Sequence, residues 1–405
     1  MSESPLPPAE TKNRWLNKNI LAMGWAAFFS DFSHEMATSL LPSFLALIGG
    51  SAALLGFIEG LADASTSLMK ILSGWYSDYV GRRKPIALVG YFLTTLGIGT
   101  LALAFSWPHV LLSRVVAWIG RGTRGPARDA LLVDSTEKRY FGRVIGFNRG
   151  LDSLGAFLGP ALALVLIKMM PIRNLFIVAI IPGVLAFLVF MLFVKEKRGR
   201  TKHTSLVLSV KGLPTNFRFF LIAVGVFGLG NFADSMLILR ATNLLSPANG
   251  VVVAASLAIL LYTIHNVFYA ALSFPIGVIA DKFGKRPLLV FGYILTAITS
   301  IGFILNTDNI LYLGAFFILA GLAIAITDSM EKTVAADMLP ESLRGTGYGA
   351  LATINGIGDF ASSSLVGLLW TAISPGAGFG FGGALMFLGG ILLVSLRRQI
   401  TAPSR

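Results

Sequence analysis

Four carboxylates and a histidine interrupt stretches that are otherwise hydrocarbon. Asp31, His34 and Glu35 fall in the first long apolar run, and Glu59 and Asp63 fall in the second. At spacings of three and four residues, each group shares one helical face. Ionisable side chains at bilayer depth are costly, so they face a cavity or one another and mark functional positions. Two carboxylates one turn apart in a low dielectric do not readily both ionise, which leaves one able to accept a proton. The pattern predicts Asp31, Glu35, Glu59 and Asp63 as a pool of proton-coupling groups. His34 either binds a solute or hydrogen-bonds Asp31 or Glu35 to fix packing. Lys70, on the same side as Glu59 and Asp63, is placed to neutralise one of those acids instead.

The cations have their own pattern. Arg114, Arg121 and Arg128 recur every seven residues, and Arg124 follows Arg121 by three, forming one stripe on a fourth helix. Arg114 is the best candidate for a solute-binding or proton-relay cation. Arg121 and Arg124 fit an anionic solute, or join Arg128 in salt bridges that close a gate with Asp78, Asp129, Asp134 and Asp152. Glycines and Pro126 within 121–130 should loosen that helix. Arg149 and Asp152, three residues apart, would most simply pair with each other.

These residues need long helices to hold them. Hydrophobic residues make up 55% of the 405-residue chain and charged residues only 13%, against about 25% charged in a soluble domain, and the mean hydropathy is +0.74. Composition alone therefore indicates a membrane protein. Twelve apolar runs are long enough to span, at about 20 residues each: 20–48, 53–75, 85–105, 108–131, 142–168 and 174–194, then 217–245, 252–278, 287–305, 310–333, 345–372 and 378–396. The absence of cysteine excludes disulfides and thiolate metal sites, and four histidines without paired spacing argue against zinc. No phosphate-binding loop of the Gly-x-x-x-x-Gly-Lys-Ser/Thr kind is present, so no cofactor is expected. The net charge of +13 sits at alternate connections rather than in one patch, which indicates a lipid bilayer and not nucleic acid. By the positive-inside rule both termini are cytoplasmic, in a plasma (inner) membrane.

The chain also repeats itself. Gly74-Trp75-Tyr76-Ser77-Asp78-Tyr79-Val80-Gly81-Arg82-Arg83-Lys84 returns 203 residues later as Gly277-Val278-Ile279-Ala280-Asp281-Lys282-Phe283-Gly284-Lys285-Arg286. The same offset carries Asp31 onto Asp234, Asp134 onto Asp337, Gly146 onto Gly349 and Gly155 onto Gly358. A duplication of this size in an apolar chain is one mark of transporter architecture. The halves are then 1–194 and 217–405, with a basic linker at 195–216.

The Gly-x-x-x-Asp-x-x-Gly-Arg-Arg/Lys pattern resembles the loop signature of the major facilitator superfamily, with Tyr76 and Tyr79 departing from it in the first copy. The resemblance implies an all-α membrane protein of twelve transmembrane helices in two pseudo-symmetric six-helix bundles, monomeric, with no enzymatic activity. It places Asp78, Arg82, Arg83, Asp281 and Arg286 among the gating residues, with Arg124, Arg128, Asp129, Arg149 and Asp152. The fifth-helix glycines, Gly146, Gly155 and Gly159-Pro160, resemble in part the signature of proton-coupled antiporters.

The repeat does not extend to the chemistry. Glu59 and Asp63 map onto Tyr262 and Asn266, and His34 and Glu35 onto Leu237 and Ile238. Proton chemistry is thus expected in the first half. Asn231, Asp234, Tyr262, His265 and Asn266 would form the far wall of a small-molecule site with His34, Arg114 and Arg121. Glu331-Lys332, reversing Arg128-Asp129, suggests bridges between the halves. The expected function is a proton-coupled secondary transporter exporting a small drug-like or metabolite molecule. The alternative is a proton symporter importing an anionic nutrient or a metal chelate such as a siderophore.

Overall fold

Three helices begin where the sequence supplies a side-chain cap. The Asn17 side chain accepts from the Ile20 amide at 3.0 Å, Ser51 Oγ from the Leu54 amide at 3.3 Å, and Asn309 from the amides of Leu311 and Tyr312, each satisfying an orphan donor of a first turn. Gly81 and Gly284, the matching glycines of the repeat, take φ of 67° and 90°. That left-handed region is open to glycine without a Cβ penalty. The repeat thus keeps glycine at a positive φ in both copies, while ψ differs, 21° at Gly81 and 140° at Gly284.

The computed structural model describes residues 16–137, 140–196, 213–339 and 344–400. Its helices are α1 Lys18–Leu47, α2 Ala52–Val80, α3 Lys84–Leu101, α4 Trp107–Asp134, α5 Phe141–Leu166 and α6 Ile172–Phe193. They continue with α7 Thr215–Gly228, α8 Ser235–Asn249, α9 Val251–Phe283, α10 Lys285–Gly302, α11 Ile310–Met338, α12 Arg344–Ala372 and α13 Pro375–Ile400. Most of the predicted linker, 195–216, lies outside the described residues, and α7 begins within its last two positions. Eleven predicted spans correspond to single helices. The twelfth, 217–245, is broken into α7 and α8 around Leu229–Asp234.

That break is held by tertiary contacts. A Cβ on Gly230 would collide with Gly382 and Leu385, and a Cβ on Gly358 would lie 2.9 Å from the Gly228 backbone, so both approaches need glycine. The unwound backbone is satisfied by two serines of α12: Ser363 Oγ accepts from the Ala233 amide at 3.0 Å, and Ser362 Oγ donates to the Asn231 carbonyl at 2.7 Å. Irregular backbone at membrane depth persists when protein groups take up its polar atoms.

The expected loosening of the fourth helix does not occur, because α4 runs unbroken through Pro126. Proline at 126 leaves the Gly122 carbonyl without its intrahelical donor, and Ser73 Oγ on α2 donates to it at 3.1 Å. Pro160 frees the Ala156 carbonyl in the same way, and Asn266 Nδ2 on α9 donates to it at 3.3 Å.

Twelve membrane spans form two six-helix bundles, α1–α6 and α7–α13, with α7 and α8 together making one span. In the first bundle α1 packs on α5 and α6, and α4 on α2 and α3. In the second, α11 packs on α9 and α10, and α13 on α7 and α10. The bundles meet along α2–α12, α5–α9 and α1–α8. One face carries Arg82–Lys84 and Lys285–Arg286; we call it the basic face. At the opposite face α2 and α12 touch through glycines. Cβ atoms on Gly56, Gly60 and Gly367 would meet the carbonyl oxygens of Ser363, Phe360 and Ala52, and Thr371 Oγ1 accepts from the Ala53 amide at 2.9 Å. The bundles are thus shut at that face.

Arg240 holds the second bundle there without any carboxylate. Only 4% exposed, it donates to the carbonyls of Phe303, Ile304 and Leu305 and to Asn306 Oδ1, satisfying the end of α10. Arg240→Ala is expected to lower stability by about 3 kcal/mol, read as a drop in the thermal midpoint of the purified protein.

Candidate functional site

The α4 stripe meets the α1 and α2 acids rung by rung. Deepest lies Arg114, 0% exposed. Its Nε and Nη2 donate to Glu59 at 2.8 and 3.0 Å, Nη2 also donates to Thr38 at 3.1 Å, and its guanidinium carbon lies 3.4 Å from the centroid of the Trp118 ring. Trp118 Nε1 donates to Asp63 at 2.7 Å. One turn pair further on, Arg121 Nη1 donates to His34 Nε2 at 2.6 Å. Then Arg124 bonds Asp31 at 3.1 Å, and Arg128 bonds Asp152 and Asp129 at 3.3 and 3.2 Å. Asp152 is therefore held by Arg128, with Asn148 Nδ2 at 3.4 Å, not by Arg149 as its spacing suggested. Helical proximity at three residues yields to a better-placed guanidinium from α4.

Lys70 does not neutralise Glu59 or Asp63. It lies nearer the basic face, in a cavity with Arg149 and Lys332. His34 sits against the Trp118 ring with centroids 4.3 Å apart, and its Nε2 is 3.6 Å from Glu35. Glu35 instead accepts from Tyr262 of the second bundle at 2.9 Å.

The second-bundle wall gathers the other predicted residues. Asn231, Asp234, Tyr262, His265 and Asn266 line one cavity of about 320 Å³ with His34, Glu35, Glu59, Asp63, Arg114 and Arg121. Asn266 commits its amide to Ala156 and to His265 Nδ1 at 3.2 Å. An adjoining cavity of about 430 Å³ continues toward the basic face and shares Arg121, Asn231, Tyr269 and Asp359. Its rim side chains are open to solvent, Lys332 at 58% and Asp129 at 57%. A single recess therefore runs from mid-membrane to the basic face.

The residues expected to gate find their partners within bundles in this conformation. Arg83 pairs with Asp134, and Lys285 with Asp337 at 2.9 Å; the two acids match at the 203-residue offset, and the cations differ by one position. Arg82 and Arg286 are exposed; the side chains of Asp78 and Asp281 lie outside the described residues. Glu331 and Lys332 do not bridge the halves: Glu331 accepts from Tyr293 and Asn355, and Lys332 donates to Asp328, all in the second bundle. With the bundles parted at the basic face, opposite charges there find partners on their own side.

Sequence reasoning passed over Asp328 and Asp359. Asp328 holds Lys332 at 2.9 Å and accepts from Tyr269 at 3.3 Å, and Asp359 lines both cavities. The signal that selected Asp31, an acid inside an apolar span, was present for both. The expectation that proton chemistry stays in the first half diverted attention from them.

The sequence profile described as Major Facilitator Superfamily matches residues 23–245 and again 219–405. The chain is 31% identical over 399 residues to an uncharacterized MFS-type transporter of Methanocaldococcus jannaschii, covering 97% of this chain and 98% of that one. It is 27% identical to the cis,cis-muconate transport protein of Acinetobacter baylyi, over 83% of each chain, and 26% identical to the multidrug resistance protein MdtH of Aeromonas hydrophila, over 76% of each. Among solved structures, a POT family transporter in complex with 5-aminolevulinic acid superposes with a TM-score of 0.78 at 14% identity, over 95% of this chain and 96% of that one. At that identity the likeness is one of fold.

Proposed function

The chain belongs to the Major Facilitator Superfamily, and on that premise we propose that it is a proton-coupled antiporter exporting small organic solutes by alternating access. The observation that carries this reading is the charge balance of the deep cavity. Of its two cations, Arg114 is paired with Glu59, and Arg121, bonded to the neutral His34 ring, leaves one positive charge against four further carboxylates. Glu35, Asp63, Asp234 and Asp359 line the same space without a Lys or Arg nitrogen within 4.0 Å among the described residues. Carboxylates away from bulk water require protons or a cationic guest. A site that takes one or the other, and not both, exchanges them.

The basic face is cytoplasmic under the positive-inside rule, with both termini there, so the recess opens to the cytoplasm and solute loads from that side. The plasma membrane is the natural setting and the monomer the working unit. Release follows when 1–194 and 217–405 rock as bodies, the α2–α12 seam parting while the basic face closes. Asp63 and Glu35 are the coupling acids best placed for this. Asp63 hangs on Trp118, which also carries Arg114, and Glu35 joins the two bundles through Tyr262, so a proton at Glu35 acts on a contact that opening must break. Asp31, held by Arg124, and Glu59, held by Arg114, set the field around them.

The test is internal pH in proteoliposomes under an imposed proton gradient, with cationic, neutral and anionic solutes added in turn. Counterflow of protons and a cationic solute is expected, lost in Asp63→Asn and in Glu35→Gln while both proteins remain folded. Undiminished counterflow in both variants would end the proposal. A second reading, proton symport of an anion, rests on Arg121, which lines both cavities, and on the muconate transport protein among the relatives. It requires co-directional flux, strongest with anions and lost in Arg121→Gln.

A further inference from the structure

Resting on the antiport reading, we infer that Asp234, Ser235 and His265 form a subsite for the primary ammonium group of the solute. The argument begins with a tautomer. Asn266 Nδ2 donates to the Ala156 carbonyl at 3.3 Å, so its Oδ1 is the atom facing His265 Nδ1 at 3.2 Å. Oδ1 only accepts, so Nδ1 carries the proton and Nε2 of the neutral ring is a bare lone pair. That lone pair is buried and has no partner, on a residue 2% exposed. Stacking on Tyr262, with centroids 5.4 Å apart and planes 13° from parallel, keeps the ring in place.

Nε2 faces an acceptor, not a donor. Asp234 Oδ2 stands 4.0 Å away, and its side chain keeps 32% of its surface open. The Ser235 hydroxyl, next in the chain, is likewise buried without a partner. All three residues line the deep cavity. Two acceptors, one of them a carboxylate, face each other across 4.0 Å where α9 passes the unwound stretch between α7 and α8, and the Ser235 hydroxyl lines the same cavity. A primary ammonium supplies three N–H donors and one positive charge.

Geometry selects this guest over a metal ion. Two hydrogen bonds of about 2.8 Å to acceptors 4.0 Å apart meet at about 90° on a shared nitrogen, within the reach of bent N–H donors. A metal ion bound at about 2.1 Å would need an angle near about 145°, far from tetrahedral or octahedral values. At 4.0 Å the pair is also beyond direct hydrogen-bonding distance, so the two side chains do not satisfy each other by a hydrogen bond.

The experiment uses the full chain purified in detergent and 2-phenylethylamine as the probe, with 2-phenylethanol as its neutral isostere and zinc chloride as the metal arm. Calorimetry should show the amine binding and the alcohol not. The amine affinity should fall at least tenfold in Asp234→Asn and in His265→Leu, and persist in Asp234→Glu. In parallel, ¹⁵N-imidazole NMR of the wild type should place His265 Nε2 among unprotonated nitrogens and shift it when the amine, not the alcohol, is added. This arm decides the matter even where a variant fails to fold. Equal binding of amine and alcohol, undiminished amine affinity in Asp234→Asn, a proton on Nε2 in the amine-bound state, or zinc binding lost with the same two residues would each overturn the subsite. Proton flux read separately distinguishes the two claims: no counterflow in the wild type, or counterflow undiminished in both Asp63→Asn and Glu35→Gln, with intact amine binding removes the antiport and leaves the subsite standing.

Discussion

Glu59→Gln is expected to destabilise the purified protein by about 3–5 kcal/mol, because it leaves a buried guanidinium without its counter-charge. The side chains of Arg114 and Glu59 are 1% and 4% exposed and share two hydrogen bonds. Arg114 Nη1 is already without a partner, and Thr38 and the Trp118 face supply no negative charge. Amide for carboxylate keeps the shape and removes the charge, so the loss reads the electrostatic component. Arg114→Met alone should cost a similar amount by stranding the carboxylate. The double variant Glu59→Leu/Arg114→Met should recover most of the stability, since a buried pair replaced as a unit by apolar groups is often neutral. Thermal or denaturant unfolding of the wild type, Glu59→Leu, Arg114→Met and the double variant, with Glu59→Gln alongside, measures this. Additive losses in the double variant would mean that the two residues do not act as a pair. The result also separates roles: a Glu59→Gln protein that transports poorly because it unfolds says nothing about proton acceptance, which is why Asp63 and Glu35 carry the coupling test.

The second large effect concerns the shut face. Gly56→Val is expected to abolish transport by preventing α2 and α12 from closing. A Cβ at Gly56 would collide with the Ser363 carbonyl oxygen and lie 2.7 Å from Met236 Cε; at Gly60 it would lie 2.8 Å from the Phe360 carbonyl oxygen. Backbone atoms do not yield as side chains do. Overpacking of this kind costs about 1–3 kcal/mol, and every 1.4 kcal/mol shifts a two-state equilibrium about tenfold. The cost falls only on the state in which the seam is closed, so the variant should remain folded while its population moves to the state open at that face. Distances between spin labels on α2 and α12 should lengthen near residues 53 and 371, and uphill transport should be lost. Unchanged distances with normal transport would show that the seam tolerates the side chain and is not the gate. Gly146, where a Cβ meets nothing within 4 Å, is the control: Gly146→Val should leave the distances as they are.

Much of the fold was legible because bilayer physics is simple. A span must be long and apolar, and charge must collect at its ends, so eleven helices could be bounded to within a few residues. The repeat at 203 residues announced the two bundles, and both of its turn glycines take the positive φ that explains why glycine stands there. The break between α7 and α8 was not legible. It depends on Ser362 and Ser363, some 130 residues away, supplying hydrogen bonds that make the unwound backbone tolerable. Pro126 misled for the same reason, since the carbonyl it frees is satisfied by Ser73 from another helix.

By itself the sequence determined a twelve-span transporter fold and the set of ionisable groups at membrane depth, because the cost of burying a charge marks such residues whatever surrounds them. Only the tertiary structure decided who pairs with whom. Periodicity places Arg114, Arg121, Arg124 and Arg128 on one face but cannot say that Glu59, His34, Asp31 and Asp152 are their respective partners. A helix specifies directions around its own axis, whereas an ion pair depends on the distance to a different helix, set by where glycines let backbones touch. That distance leaves Glu59 paired, Asp63 and Asp359 without a cation within 4.0 Å among the described residues, and the His265 lone pair facing Asp234.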